Sequence, residues 1–309
     1  MADSRGTVHE LVEFEGWRDC VRLSNGQAEI VATTVVGPRL VRFGFVGGQN
    51  LFKVFDADKG VTESAEWRNF GGHRLWHAPE EATRTYENDT HPVDYSFDGD
   101  TLVLKMSEKI NRIDKEMRVT LLPDAPKARI VHRLTNRNPW AIELAVWSLS
   151  VMNEGGRAIY PQEKFIPWGV SFDAARPLVL WQFTDMTDPR WTWGAKYIQL
   201  RQVPGARPEQ KAGMLNKPGW AAYTLNGEAF LKHFGYDPKA TYTDYGSNCE
   251  TYTQADMLEV ETLGPLVKLE PGETVEHVET WMLAKVDCGD TDAEIDAKIL
   301  PLVAELPAL

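Results

Sequence analysis

The sequence predicts an all-β fold, a large sandwich of antiparallel sheets with few short helices. Most of its regular segments are short runs in which apolar and polar residues alternate, which is typical of half-buried strands. Clusters of Gly, Pro, Asn and Asp separate these runs as turns. The chain has 309 residues and no low-complexity linker. A single domain over residues 1–309 is therefore the simpler organisation, since β-sandwiches of roughly 200–250 residues commonly form one domain.

Alternation predicts strands over residues 28–33, 40–45, 101–107, 117–122, 129–135, 142–152, 228–234, 256–263 and 274–283. In the third of these, Leu102, Leu104 and Met106 share one face. Short turns separate the runs between residues 101 and 152, which is typical of an antiparallel meander. The last two strands flank a Pro-Gly turn over residues 269–273, which predicts a hairpin.

One helix is predicted, at the C-terminus over about residues 291–300. Thr291 and Glu294 have the spacing of a capping box, and they precede the apolar pair Ile295 and Ile299. Pro301 should end or bend this helix, because proline lacks the N–H that the helical hydrogen bond needs.

The composition argues against several function classes. Lys and Arg number 33 against 45 Asp and Glu, so the formal net charge is -12, and binding to nucleic acid or anionic membranes is not expected. No apolar run approaches the roughly 18 residues of a membrane span. The N-terminus lacks a signal-peptide pattern, so we expect a cytoplasmic location. The 3 cysteines are far apart and predict neither disulfides nor a thiolate metal site.

The chain is rich in tryptophan, with 11 residues, several of them in polar segments. Residues 183–194 combine Asp188, Arg190, Trp191 and Trp193. An indole face can cover the C–H face of a sugar ring, while carboxylate and guanidinium groups bond its hydroxyls. This segment therefore predicts contacts to a small-molecule carbohydrate.

A second candidate segment, residues 71–80, contains His73, Arg74, Trp76 and His77. Imidazoles transfer protons near neutral pH, and a guanidinium binds hydroxyl or carboxylate groups. The spacing of His73 and His77 would suit a metal only in a helix, which the neighbouring glycines and proline disfavour. We therefore expect proton transfer or sugar binding here, and neither a metal nor a cofactor.

A third candidate segment is acidic and contains Glu250, Glu259 and Glu261. In a strand, Glu259 and Glu261 share one face, about 7 Å apart, while Leu258 and Val260 face the core. Carboxylates on an open sheet face could bond sugar hydroxyls or act as a general base, and an ordinary solvated strand face is the alternative.

The layout resembles the galactose-mutarotase-like superfamily of aldose 1-epimerases, and most closely its DUF4380-type branch. The segments that carry the resemblance are residues 37–43, 71–80, 188–194 and 259–265 with the turn at 269–273. The resemblance implies a β-supersandwich and a catalytic glutamate, matched by Glu261, that takes the proton of the anomeric hydroxyl. It also implies that His73 and Arg74 bind the sugar. The family's acid histidine has no counterpart near Trp147, so His73 or His77 is the candidate acid.

Three functions follow from these residues and the resemblance. The first is a carbohydrate-binding protein that interconverts the anomers of a free sugar with Glu261 as base and His73 or His77 as acid. The candidate sugar contacts are Arg74, Trp76, Asp188, Arg190, Trp191, Trp193, Glu250 and Glu259. The second is a sugar-binding protein without catalysis, and the third is a carbohydrate lyase or glycoside hydrolase on the same fold.

Overall fold

A computed structural model describes residues 7–309, and within this range the chain is mostly β-strand. Residues 1–6, which are part of the N-terminal segment considered for a signal peptide, lie outside the described residues. The strands are β1 (Val8–Phe14), β2 (Trp17–Ser24), β3 (Ala28–Thr33), β4 (Arg39–Phe45), β5 (His73–Ala78), β6 (Asp94–Asp98), β7 (Thr101–Ser107), β8 (Ile113–Leu121), β9 (Lys127–Asn136), β10 (Ile142–Met152), β11 (Arg157–Pro161), β12 (Leu178–Leu180), β13 (Trp191–Trp193), β14 (Tyr197–Arg201), β15 (Gln210–Met214), β16 (Trp220–Leu225), β17 (Glu228–Phe234), β18 (Cys249–Gln254), β19 (Met257–Leu263), β20 (Val267–Leu269) and β21 (Thr274–Lys285).

The strands form two antiparallel sheets. The first sheet has 11 strands in the order β1-β2-β3-β4-β5-β10-β19-β18-β15-β12, with β20 paired to β10. The second has 10 strands in the order β13-β14-β11-β16-β17-β21-β9-β8-β7-β6. The prediction of an all-β antiparallel sandwich is confirmed.

The main core lies between the sheets. Strand β8 shows how the sequence builds it, because every second residue from Ile113 to Leu121 is buried. At the centre, the rings of Phe43, Phe52, Phe230 and Trp281 pack with centroids 5.4–6.4 Å apart. Such edge-on and tilted contacts stabilise the sandwich beyond the burial of apolar surface.

The central strands of the first sheet are buried on both faces. All residues of β5 and β19 are buried. One face meets the second sheet, and the opposite face is partly covered by the long connections β4–β5, β5–β6, β12–β13 and β14–β15. We call this second face the outer face. Its cover of connecting segments turns a flat sheet surface into a hollow.

The helical elements are short. A 3-10 turn spans Asp56–Asp58, and helices α1 (Asp292–Lys298) and α2 (Leu300–Val303) follow β21. The Thr291 side chain caps α1 by accepting the N–H of Glu294 at 3.3 Å, and Pro301 lies in the first turn of α2. Within residues 7–309, none of the helices has the length and apolar character needed to cross a membrane.

Candidate functional site

A row of side chains crosses the outer face at the centre of the first sheet. Arg74 of β5 lies opposite Leu149 of β10, Leu149 lies opposite Glu261 of β19, and Glu261 lies opposite Glu250 of β18. Residues directly opposite each other in antiparallel strands project from the same face. The sheet register therefore brings Arg74, Glu261 and Glu250, which are far apart in sequence, into one line.

A cavity of about 450 Å³ lies above this row. This volume is within the range of small-molecule sites, roughly 300–1,000 Å³. Its walls come from the outer face and from the connections that cover it. The lining residues are Trp67, Asn69, Arg74, Trp76, Glu80, Tyr86, Trp147, Leu149, Trp181, Phe183, Glu209, Lys211, Tyr252, Gln254, Met257 and Glu259.

Arg74 organises one end of the cavity. It donates to Glu259 Oε1 at 2.8 Å and to Asn69 Oδ1 at 2.6 Å. Its guanidinium carbon lies 4.3 Å from the ring centroid of Trp76 and 5.9 Å from that of Trp67. Cation–π contacts and a charge-assisted hydrogen bond therefore hold the guanidinium in one position.

Lys211 organises the other end. Its Nζ lies 2.9 Å from Glu250 Oε2 and 3.8 Å from Glu261 Oε2, and it sits over the rings of Trp147 and Trp181 at 5.0 and 4.4 Å. The indole N–H of Trp147 donates to Glu261 Oε2 at 2.9 Å. One ammonium thus faces two carboxyl groups beneath the cavity floor.

These contacts determine the protonation of Glu250 and Glu261. Burial raises the pKa of both Glu250 and Glu261, although Lys211 opposes the shift. Burial alone would lower the pKa of Lys211, but the attraction of Glu261 and Glu250 outweighs it and raises that pKa. A single ammonium neutralises only one carboxylate, so we expect the two carboxyl groups to share a proton near neutral pH.

One oxygen of each carboxyl group remains unsatisfied. Glu250 Oε1 and Glu261 Oε1 are buried and have no hydrogen-bond partner among residues 7–309. An unpaired buried acceptor is costly, by roughly 1–3 kcal/mol. A hydroxyl group that reached these oxygens would remove that cost.

His73 does not share the cavity with Glu261, and this corrects the sequence-based expectation. Residues 73–78 form a strand, so His73 projects from the face opposite to Arg74 and lies between the sheets. Its Nδ1 lies 2.8 Å from Ser150 Oγ and its Nε2 lies 2.7 Å from His132 Nε2. Burial lowers the pKa of His73 well below its usual range, so the ring is neutral there.

The position of His77 is corrected for the same reason. It projects from the same face of β5 as His73, and its Nε2 lies 3.1 Å from Glu108 Oε2. Glu108 is itself paired with Lys115. Burial lowers the pKa of His77. Neither His73 nor His77 lines the cavity, so the structure places no candidate acid of the sequence analysis beside Glu261.

The four predicted sugar contacts of residues 183–194 also lie outside the cavity lining, although Phe183 of the same segment belongs to it. Asp188 accepts two hydrogen bonds from the Arg190 side chain, at 2.8 and 2.9 Å. Trp191 stacks on Trp193 with centroids 4.7 Å apart, and its N–H donates to Gln210 Oε1. These four side chains satisfy one another or nearby groups, and they stabilise a loop instead of contacting the cavity.

Of the predicted sugar contacts, Arg74, Trp76 and Glu259 line the cavity, while Glu250 and Glu261 lie beneath it. Sequence reasoning missed Lys211, Trp147 and Trp181. Residues 210–214 carry little alternation, so no strand was predicted there. The alternation of residues 73–78 was a usable signal for the histidines, because His73, Leu75 and His77 fall on one face of any strand.

No protein-family model and no curated protein matches this chain. Among solved structures, a TPR-domain containing protein from Parabacteroides distasonis has a TM-score of 0.59 and 12% identity over 87% of this chain and 48% of that one. This chain therefore spans about half the length of that protein.

Two further structures match over their whole length. A galactose mutarotase-like protein from Lactobacillus casei has a TM-score of 0.52 and 9% identity, and covers 86% of this chain and 100% of its own. A galactose mutarotase related enzyme from Lactobacillus acidophilus has a TM-score of 0.51 and 7% identity, with 88% and 100% covered. At such identities the likeness concerns the fold alone. The two-sheet architecture and these matches together show that the chain has the galactose mutarotase-like β-sandwich fold.

Proposed function

We propose that the cavity on the outer face binds a carbohydrate of about monosaccharide size. The observation that carries this proposal is the combination of aromatic rings with fixed charged groups in one cavity of about 450 Å³. Trp76 and Trp181 contribute aromatic surface to the lining for C–H groups, and Glu259 and Arg74 offer hydrogen bonds to hydroxyl groups. Membership of the DUF4380-type branch is part of this proposal, and the motif at residues 71–80 supports it.

Replacing Trp181 with alanine should weaken sugar binding by about two- to tenfold. Trp181 lines the cavity, and a lost aromatic contact costs roughly 0.5–1.5 kcal/mol. Titration calorimetry with a panel of free aldoses measures this change. Trp168→Ala is the matched control, since Trp168 is 90% exposed and lies outside the cavity lining. Equal affinities of the two variants for every sugar that binds the unmodified protein would contradict the proposal.

A second candidate function, anomer interconversion, is favoured by the raised pKa of Glu261 directly beneath the cavity. In this reaction Glu261 takes the proton of the anomeric hydroxyl and solvent water supplies the proton to the ring oxygen, because the raised pKa of Lys211 makes its ammonium group a poor acid. The bond between the anomeric carbon and the ring oxygen then breaks, and reclosure gives either anomer. Glu261 is 0% exposed, so Lys211 must first swing aside on its flexible stem. Without that movement the protein binds the sugar and does not catalyse.

If the protein catalyses this exchange, Glu261→Gln should slow it by about 10²-fold or more, since positioned proton transfer contributes roughly 10²–10⁴ in rate. Activity of the unmodified protein should rise with pH through the raised pKa of Glu261, because the base must be ionised. Polarimetry or NMR exchange measures both effects. Glu13→Gln is the control, because it removes a carboxylate from an exposed position on the edge strand β1 and should leave the rate of exchange unchanged. Sugar binding with no acceleration of exchange would leave binding as the function.

A further inference from the structure

Both cations of the cavity lining are already neutralised within the protein. Arg74 pairs with Glu259 at 2.8 Å, and Lys211 pairs with Glu250 at 2.9 Å. Arg190, the other arginine predicted to contact the sugar, pairs with Asp188 at 2.8 Å outside the cavity. An anionic sugar would therefore find no free positive charge on the cavity wall.

Two further carboxylates line the cavity and lack a cationic partner. Glu80 and Glu209 form no ion pair with a Lys or Arg side chain of residues 7–309, although the Tyr86 hydroxyl donates to Glu80. Against Arg74 and Lys211, the lining carries Glu80, Glu209 and Glu259, so its formal charge is -1. The carboxyl groups of Glu250 and Glu261, which are buried beneath the cavity, add to the negative potential. A charged ligand is thus favoured only if it is positive.

The aromatic walls suit a cation as well. Arg74 lies 4.3 Å from the ring centroid of Trp76, and Lys211 lies 4.4 Å from that of Trp181. The cavity thus already holds two ammonium- or guanidinium-type groups against indole faces. Tyr252 and Phe183, whose centroids are 6.4 Å apart, extend this aromatic surface along the open side. A ligand cation placed there would gain both ring and carboxylate attraction.

From this charge balance and these rings we propose that the ligand is an amino sugar with a free, protonated amino group. The inference rests on the proposed carbohydrate-binding function and names its substrate class. The ammonium group meets the carboxylate of Glu209 or of Glu80, the sugar ring packs against Tyr252 and Phe183, and the hydroxyl groups meet Arg74 and Glu259. Acetylation of the amine would remove the charge and this source of affinity.

Calorimetric titration of the full chain with glucosamine, galactosamine, N-acetylglucosamine, glucose, galactose, glucuronate and tetramethylammonium tests the inference. We expect the two free amino sugars to bind at least about fivefold more tightly than their neutral counterparts, a difference that corresponds to one well-placed charge contact. Glucuronate should bind most weakly. The preference should shrink as salt is added, because partly exposed charges are screened.

The other outcomes separate the two proposals. Equal binding of glucose and glucosamine would overturn the amino-sugar inference and leave carbohydrate binding intact. Binding of tetramethylammonium without any sugar would overturn carbohydrate binding, and with it the amino sugar. Failure of every probe at millimolar concentration would overturn both.

A substitution that removes one negative charge and keeps the side-chain shape gives a second test. Glu209→Gln should weaken glucosamine binding about fivefold and leave glucose binding unchanged, since Glu209 lines the cavity without an ion pair. Glu13→Gln, on the edge strand β1, removes the same charge from an exposed position away from the cavity and serves as the control. Equal loss of glucose and glucosamine binding in Glu209→Gln would mean that the carboxylate does not recognise a cation.

Discussion

Replacing Lys232 with methionine is expected to lower the free energy of unfolding by about 3–5 kcal/mol, the usual cost of breaking a buried ion pair. Lys232 Nζ lies 2.9 Å from Glu279 Oε1 between the sheets, and both side chains are 0% exposed. The substitution leaves the Glu279 carboxylate without its cation. Chemical denaturation measures the loss. Lys105→Met is the matched control, since that lysine is 57% exposed in its pair with Glu116.

The pH dependence of this loss identifies its cause. Burial would raise the pKa of Glu279, but Lys232 and the neighbouring histidines lower it well below the usual 4.5. The ion pair therefore stabilises the folded protein fully at pH values above about 4.5. This stabilisation is lost as the pH falls through the lowered pKa of Glu279. In the variant the pKa of Glu279 rises and the carboxyl group takes up a proton more readily. The difference between the two proteins should therefore narrow in acid.

A double variant separates the pair from its surroundings. Lys232→Met combined with Glu279→Leu removes both charges together, and it should be more stable than Lys232→Met alone. Ser148 and Trp281 also donate to Glu279, at 2.6 and 2.7 Å, so part of the cost will remain. If Lys232→Met lowered the free energy of unfolding by less than about 1 kcal/mol, as is usual for an exposed pair, the Glu279 carboxylate would not depend on Lys232 for its stabilisation.

Replacing Lys211 with methionine should destabilise the protein strongly in alkali and only weakly in acid. Burial already raises the pKa of Glu250 and Glu261 above the reference value of 4.5. When folding raises the pKa of a carboxyl group, the protein loses stability as the pH rises from the unfolded-state pKa to the folded-state pKa. The reason is that the folded state holds a proton that the unfolded state has already released. Without Lys211 both pKa values rise further, which deepens the loss.

We expect a decrease of about 3 kcal/mol or more in unfolding free energy at about pH 9, and much less at about pH 5. Urea denaturation at both pH values measures the effect. Lys217→Met is the control, because Lys217 is 37% exposed and lies 4.0 Å from its nearest carboxylate, Glu163. A loss that is independent of pH would show that Lys211 acts through packing against Trp147 and Trp181 instead of through the carboxyl groups.

Local pattern predicted much of this protein. The alternation of apolar and polar residues predicted most of the longer strands, and it predicted that Glu259 and Glu261 share a face while Leu258 and Val260 enter the core. It also predicted the start of α1 at Thr291, where the side chain caps the helix. Strand pleating and helix capping depend on residues that are close in sequence, so the strand faces and the start of the helix can be predicted from the sequence.

The candidate site was predictable only in part. Arg74, Trp76 and Glu259 were named from the sequence and line the cavity, whereas His73 and His77 were named and lie between the sheets. The error arose because no strand was predicted over residues 71–80, so the side chains of neighbouring residues were expected to converge. In a strand, His73 and Arg74 must point to opposite faces.

The sequence by itself determined most of the longer strands, the apolar face of each of these strands and the acidic balance of the chain. Only the tertiary structure decided that Lys211 lies beside Glu250 and Glu261, and that four long connections close a cavity over the outer face. The physical reason is that these contacts depend on which strands are neighbours in the sheet and on where distant loops pack. Strand order β5-β10-β19-β18-β15 brings together residues from 74 to 261, and no local pattern encodes that order.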